Sequence, residues 1–399
     1  MRKIDLNNFQ VATSETARHI NRRIVLNLIR KHQPVSRADL SRHSGLQRST
    51  VSAIAEQLLT ERWIREGAMG QLPRGRRPTF LCLNGERAGI LGVNIRPGWT
   101  TIGLAGLDSR FLMEDSVRTG GDPETFLPAL GRRLRDIMNA HPQVVYEGIG
   151  LALPGRVDWA TQALVFAPNL RWTNVDVKTP LQKTTGLSVE VENAANACAL
   201  AELWSGRHGE EVRHIIAVTV SEGIGVGMVL NGQLVRGPTG LAGEFGHIVL
   251  DEQGPKCGCG NRGCWEVFAS NQAAVRYFTE SLRGNRRAHS PAGPSFEDIL
   301  HLAEQGNAKA AEALDRMAHY LGVGISMLVS GLAPDVVVLV GEATRAWSRL
   351  EPIISKVVAA RQSSHARTKI LPTDPMTRPR LRGVIALVLQ KHFGAPHIV

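Results

Sequence analysis

The sequence predicts an α/β protein preceded by a winged helix-turn-helix, and three observations carry the prediction. The N-terminal part shows helical patterns separated by a tight turn, short apolar runs alternate with helical stretches from about Ala88 onward, and positive charge is concentrated ahead of that change. Residues 1–85 hold 15 Lys and Arg against 6 Asp and Glu, which places nine of the eleven net positive charges in that segment. A basic module joined to a near-neutral body points to a polyanionic partner, most often nucleic acid.

The 399 residues suffice for two or three domains, and 43% hydrophobic with 21% charged residues is the balance of a chain that buries real cores. No run of about 18 uncharged apolar residues is present, and "MRKIDLNNFQVATSET" has no apolar stretch behind its basic residues. Membrane insertion and a signal peptide are therefore not expected, and the cytoplasm is the expected compartment. Three of the five cysteines crowd into "CGCGNRGC" while Cys82 and Cys198 stand far away, a pattern that favours metal binding over a disulfide framework.

Taken in order, "SETARHINRRIVLNLIRKHQ" reads as an amphipathic helix, with a cap at Ser14 and Ile20, Ile24, Leu26, Leu28 and Ile29 on its apolar positions, closed by Pro34. A short helix capped by Ser36, a turn at Gly45 and a longer helix from about Gln47, with Val51, Ile54, Leu58 and Leu59 inward, complete a helix-turn-helix. Gln47, Arg48, Ser49 and Thr50 open the second of these helices and are the expected contacts to base edges or phosphates in a major groove. Two strands follow in "REGAMGQLPRGRRPTFLCLN", and the Gly- and Pro-bearing tip between them carries Arg74, Arg76 and Arg77, suited to a narrow minor groove. The competing reading is a small interaction domain with a solvated basic loop.

In the body, "GILGVNI", "TTIGLAGLD", "YEGIGLALPG", "HIIAVTVSEGIGVGMVL" and "PDVVVLVGE" alternate with helical segments, and several end in glycine-rich turns whose backbone N–H groups can approach a sugar or an anion. In combination the signals are more specific. "ALPGRVDW…APNLRW…VEVENAANACALAE", then "GIGVGMVLNGQLVRGPTGLAGEFGH", then the cysteine cluster closely resemble the ROK family of bacterial repressors and sugar kinases, over most of residues 88–395. With the winged helix in front, the chain resembles a ROK transcriptional repressor. The resemblance implies a two-lobed actin-like, ribonuclease-H-like ROK domain over 86–399 behind the DNA-binding domain of 1–85. Lobe one is expected at about 86–197 with the C-terminal helix of about 380–399, and lobe two at about 198–379.

It also implies ligands and contacts. His247, Cys257, Cys259 and Cys264 form a Cys₃His set for one structural Zn²⁺ per chain, a closed site with no position left for a metal-bound water. The family pattern assigns sugar hydroxyls to Asn193, Glu244, His247 and Glu266, whose oxygens and nitrogens match a polyol's donors and acceptors. The zinc loop would then aim the acids.

Against the family's kinases the chain has losses. The position of the catalytic Asp is Ala194, so no catalytic residue is expected. The first phosphate loop reads "NIRPGWT", with Asn94, Arg96 and Pro97 at departures; Glu222 in "SEGIG" would meet phosphate; and Glu342 replaces a glycine in the adenosine region. A non-enzymatic, sugar-responsive repressor follows, acting on double-stranded operator DNA and answering to a sugar or sugar-phosphate effector, as a homodimer or higher oligomer. A weak or vestigial ROK sugar kinase fused to a DNA-binding domain is the alternative, and a response to a protein partner is a third.

Overall fold

The computed structural model describes residues 14–69, 79–206, 208–209, 211–282, 293–362 and 368–394. Helix α1 (Ser14–His32) is followed by a two-residue strand β1 (Val35–Ser36), α2 (Arg37–Ser44), α3 (Arg48–Thr60), β2 (Ile64–Met69) and β3 (Thr79–Leu83). Ser36 caps α2 through a reciprocal box with Asp39, and Gly45 stops it in the left-handed region at φ 70°, where a Cβ would be strained. Val25, Leu26, Ile29, Leu40, Val51, Ile54 and Leu58 are buried, which welds the three helices onto the sheet β1-β3-β2. Ile24 departs from expectation: it is 39% exposed, its place taken by Val25. Leu59 is only half-buried, and β1 was not foreseen because two residues carry no periodicity.

Beyond this region stand two five-stranded sheets with one topology. The first is built from β4 (Ala88–Ile95), β5 (Trp99–Gly106), β6 (Phe111–Arg118), β7 (Val145–Leu153) and β11 (Val189–Asn193) in the order β11-β7-β4-β5-β6, with α4 (Pro123–Ala140) and α5 (Lys178–Thr185) between strands. A small sheet of β8 (Arg156–Val157), β9 (Leu164–Ala167) and β10 (Trp172–Val175) is inserted after β7. The helix α6 (Ala194–Ser205) leads to the second large sheet, β12 (Ile215–Val220), β13 (Ile224–Leu230), β14 (Gln233–Leu234), β15 (Val336–Val340) and β16 (Lys369–Pro372), in the order β14-β13-β12-β15-β16. Each sheet is an antiparallel meander of three strands extended by two parallel strands. The fully buried strands β4, β12 and β15 read as near-continuous apolar runs, as a covered parallel core requires.

Helices α7 (Trp265–Ala269), α8 (Asn271–Leu282), α9 (Phe296–Glu304), α10 (Ala308–Leu332) and α11 (Trp347–Ala359) cover the second sheet. The last helix, α12 (Pro379–Phe393), returns to pack on β4 and β7 of the first sheet and against α6, which itself lies on β12 and β13. This sheet–helix–helix–sheet stack depends on close backbone approach: a Cβ at Gly383 would strike the Ala197 carbonyl, and one at Gly227 the Ala195 carbonyl. Among the described residues no helix is long and apolar enough to cross a membrane.

Candidate functional site

Between the two large sheets lies a cavity of about 700 Å³, and the residues expected at a sugar line it together: Asn193, Glu244, His247 and Glu266, with Ala194 beside them. That volume suits a small polar ligand. The first sheet supplies Asn193 at the end of β11, where the chain turns into α6; Oδ1 accepts from the Ala195 and Asn196 N–H groups at 2.7 and 3.3 Å, and Nδ2 donates to the Gly155 carbonyl at 2.6 Å. Asn193 is thus an N-cap first, and the second amide N–H is what it retains for a ligand. Ala194, the next residue, offers only a methyl group.

The second sheet's side is built by the cysteine loop. Glu244 and His247 share one 3-10 turn, Glu244–His247, introduced by Gly243 at φ 106°. The His247 Nε2 lies 3.6 Å from a Glu244 carboxylate oxygen, and its Nδ1 faces the Cys257 Sγ at 3.5 Å. The ring therefore spans the cavity and the cysteine cluster. Burial pushes the Glu244 carboxyl above its ordinary value; His247 and Arg156 draw it down and Glu266 pushes it up. Glu266, on α7, uses Oε2 to accept from the Ile224 N–H at 3.0 Å and turns Oε1 toward the Cys257 Sγ at 3.6 Å.

The cluster passes a geometric test for a metal. One ligand atom from each of His247, Cys257, Cys259 and Cys264 lies within 4.8 Å of the others, and the Cys259 and Cys264 sulfurs are 3.7 Å apart. A tetrahedron with Zn–S bonds of about 2.3 Å has sulfurs roughly 3.8 Å apart and a sulfur–nitrogen edge of roughly 3.6 Å. The observed 3.7 and 3.5 Å match both edges. Bridges Val249↔Cys264 and Lys256↔Arg262 hold the loop closed, and Gly260 and Gly263 turn it at φ 99° and 62°. Its end is anchored by Trp265, fully buried, whose indole N–H donates to the Tyr320 carbonyl at 2.8 Å. Burial raises the Cys257 and Cys264 thiols, the latter to about 11.

Elsewhere around the cavity, charged residues from three strand-end loops meet. Arg96 Nη2 lies 3.0 Å from Glu342 and 3.4 Å from Glu222. Pro97 lines the same cavity, and Asn94 is buried with its Oδ1 unpartnered.

The DNA-facing expectations fall elsewhere. Gln47 is the N-cap of α3 without a side-chain cap bond, and Gln47, Arg48 and Ser49 are exposed while Thr50 is half-buried. Arg74, Arg76 and Arg77 lie outside the described residues.

Sequence reasoning missed three features. Arg156, directly after the "LPG" turn, lines the cavity, and its Nε is buried without a partner. Phe166 and Asn169, from the inserted small sheet and its turn, form a wall that only the quoted "VFAPNLRW" stretch hinted at. The third is the junction of the N-terminal region with α12: Asn27 donates to the Phe393 carbonyl at 2.7 Å, Arg23 to the Lys391 and Gly394 carbonyls, and the Trp63 ring meets that of His392 at a tilt of 56°, centroids 4.4 Å apart. No local pattern reports contacts more than 300 residues apart.

Comparison with known proteins places this geometry. The chain is 33% identical over 332 residues to the xylose repressor of Bacillus subtilis (strain 168), covering 82% of this chain and 84% of that one. It is 32% identical over 260 residues to the glucokinase of Streptomyces coelicolor, covering 63% of this chain and 81% of the relative. A crystal structure of a ROK family transcriptional regulator, a homologue of the E. coli MLC protein, superposes with a TM-score of 0.80 at 26% identity, over 94% of this chain and 98% of that one. A ROK family glucokinase from Streptomyces griseus in complex with glucose and AMPPNP gives 0.68 at 26% identity, over 76% of this chain and all of the other. The ROK family model matches residues 91–391, and with the two-sheet fold and the cavity between the sheets this shows that the chain belongs to the ROK family.

Proposed function

We propose that the protein is a sugar-responsive transcriptional repressor that binds operator DNA through residues 1–85 and a monosaccharide between the sheets of 86–399, and that it is not an enzyme. The observation that carries the reading is the asymmetry of one cavity: side chains suited to hydroxyls, with Ala194 beside them where a kinase needs a base, line one part, while Arg96 and Glu222 line another and pair there, Arg96 also with Glu342 behind it. Asn193, Glu244, His247 and Glu266 bind the sugar hydroxyls. One structural zinc per chain, on His247, Cys257, Cys259 and Cys264, fixes the loop that presents three of these four. The relative named xylose repressor makes xylose the first sugar to test.

The DNA is met by Gln47, Arg48, Ser49 and Thr50 at the start of α3 and by Arg74, Arg76 and Arg77, in a homodimer whose two modules address two half-sites. Coupling runs through α6. It starts at the Asn193 cap in the cavity and ends near Trp204, whose carbonyl accepts from Arg30 of α1 at 2.9 Å and whose ring lies under the same guanidinium at 4.2 Å. Trp204 also meets Phe393 edge-on at 5.4 Å, so one helix touches the sugar site, α12 and the N-terminal helix. A sugar that shifts α6 changes the freedom of the DNA-binding part, at a coupling of about 1–3 kcal/mol for a useful switch.

The test is a sugar panel scored by release of the full-length protein from its operator, beside a truncated chain lacking residues 1–85. Release by one sugar and loss of DNA binding in the truncated chain are expected; equal DNA binding by the truncated chain overturns the assignment. The relatives named glucokinase favour a second reading, a residual sugar kinase, which phosphorylation of any panel sugar from ATP would establish.

A further inference from the structure

Three residues that a phosphate-binding cleft has no use for stand on three separate strand-end loops and meet at one point. Arg96 follows β4 of the first sheet, Glu222 lies in the turn between β12 and β13, and Glu342 follows β15 of the second sheet. The Arg96 Nη2 reaches Glu342 Oε1 at 3.0 Å and Glu222 Oε1 at 3.4 Å, and Glu342 Oε2 accepts from Asn271 Nδ2 at 3.2 Å at the start of α8. Burial opposes the charge on Arg96, the two carboxylates outweigh it, and the guanidinium sits above its ordinary value. A second ionic tie joins the two halves on the other flank of Asn193: Arg236 holds Glu192 at 2.7 Å. The two ties differ in burial. The Glu192 side chain is 6% exposed, whereas Arg96, Glu222 and Glu342 are 32%, 37% and 36% exposed. The Glu192 tie is thus shielded from salt, and the Arg96 tie is open to it.

We propose that Arg96 is a positioning residue for the sugar: with Glu222 and Glu342 it forms an ionic clasp that joins the two sheets across the cavity floor. The clasp holds Asn193, from the first sheet, at the distance from Glu244 and Glu266 at which one ligand reaches both. It rests on the sugar-binding reading above. Each of the three charges would be an uncompensated cost in its own loop; together they satisfy one another and set the width of the cleft. Sugar affinity therefore depends on how the clasp sets the two sheets apart as well as on the side chains that meet the sugar.

The experiment is calorimetric titration of the panel sugar into the full-length protein and four variants, Arg96→Met, Arg96→Lys, the double variant Glu222→Gln/Glu342→Gln and the triple variant Arg96→Met/Glu222→Gln/Glu342→Gln, at low and high salt. Arg96→Met is expected to raise the Kd about three- to tenfold at low salt, the double variant to do the same, and the triple combination to add nothing further. Arg96→Lys restores most of the affinity. The parent's Kd rises with salt, and that of Arg96→Met does not. Unchanged affinity in Arg96→Met, additive losses, or Arg96→Lys behaving as Arg96→Met overturns the clasp. Should the parent bind no sugar at all, the sugar reading fails by itself. The clasp is then decided by a double-mutant cycle in thermal unfolding between Arg96→Met and Glu222→Gln/Glu342→Gln, where a coupling distinguishable from zero supports it and none removes it.

Discussion

The two sides of the central cavity are built in opposite ways. On the cysteine-loop side, Glu244, His247, Cys259 and Glu266 line the cavity, and His247 joins Cys257, Cys259 and Cys264 in one cluster behind it. On the strand-end side, Arg96 from one loop bonds to Glu222 and Glu342 from two others. The comparison teaches that charge is used differently on the two sides: the strand-end charges are spent on one another, whereas among the described residues neither Glu244 nor Glu266 forms an ion pair with an arginine or a lysine.

The largest way to break this comparison is through the metal ligands. Cys257→Ala should lose most of about one zinc per chain, with the cysteine loop disordered and the sugar response abolished, because a structural site contributes directly to folding. Elemental analysis of carefully prepared, unchelated protein checks it, and a parent without zinc contradicts it.

A smaller effect is expected at the junction that reads the cavity out. Arg30→Met removes the guanidinium from Trp204 at the far end of α6. Sugar affinity should stay close to the parent's while the sugar-induced loss of operator affinity shrinks about fivefold, read by titrating sugar and DNA separately.

Acid should loosen the same junction. Glu147 is bound by His392 at 2.8 Å, Arg87 at 2.8 Å and Lys391 at 3.1 Å, and Arg87 covers the Trp63 ring. The His392 contact first, then Arg87 and Lys391, hold this carboxyl far below its ordinary value against the opposing cost of burial. A depressed carboxyl contributes stability above its unfolded pKa and loses it as pH falls toward the folded one. Glu147→Gln should therefore cost about 1–3 kcal/mol at neutral pH, with the gap to the parent narrowing as pH falls below about 4. Thermal unfolding across pH reads this directly.

The smallest expected effect sharpens the strand-end side. Ala194→Asp places a carboxylate beside Asn193, while Arg96, Glu222 and Pro97 still line the cavity. No phosphorylation of any panel sugar should appear, and appreciable turnover by this single variant would mean that the nucleotide side has been misread.

Much of this was legible in the sequence where function is written in short motifs. The cysteine cluster and the "GEFGH" and "VENAAN" stretches, through the family they resemble, pointed to residues that the fold brings to one cavity. Legibility failed where the cause is long-range. Asn193 reads as a polar residue for a ligand, but the turn from β11 into α6 also needs a cap, which uses most of its hydrogen-bonding capacity. Glu222 reads as an isolated charge against phosphate, and only the meeting of three loops shows its partner. Ile24 fits a helical stripe, yet Val25 is the residue that the neighbouring helices cover.

The central claim is that one surface binds a sugar and that this binding releases DNA. Glu244→Gln tests it most directly, since it keeps the shape of a side chain that lines the cavity and removes its charge. Operator affinity of the sugar-free variant should match the parent's, while the sugar that releases the parent should fail to release the variant at any concentration up to about a hundredfold higher. Release of the variant at the parent's sugar concentration would contradict the account.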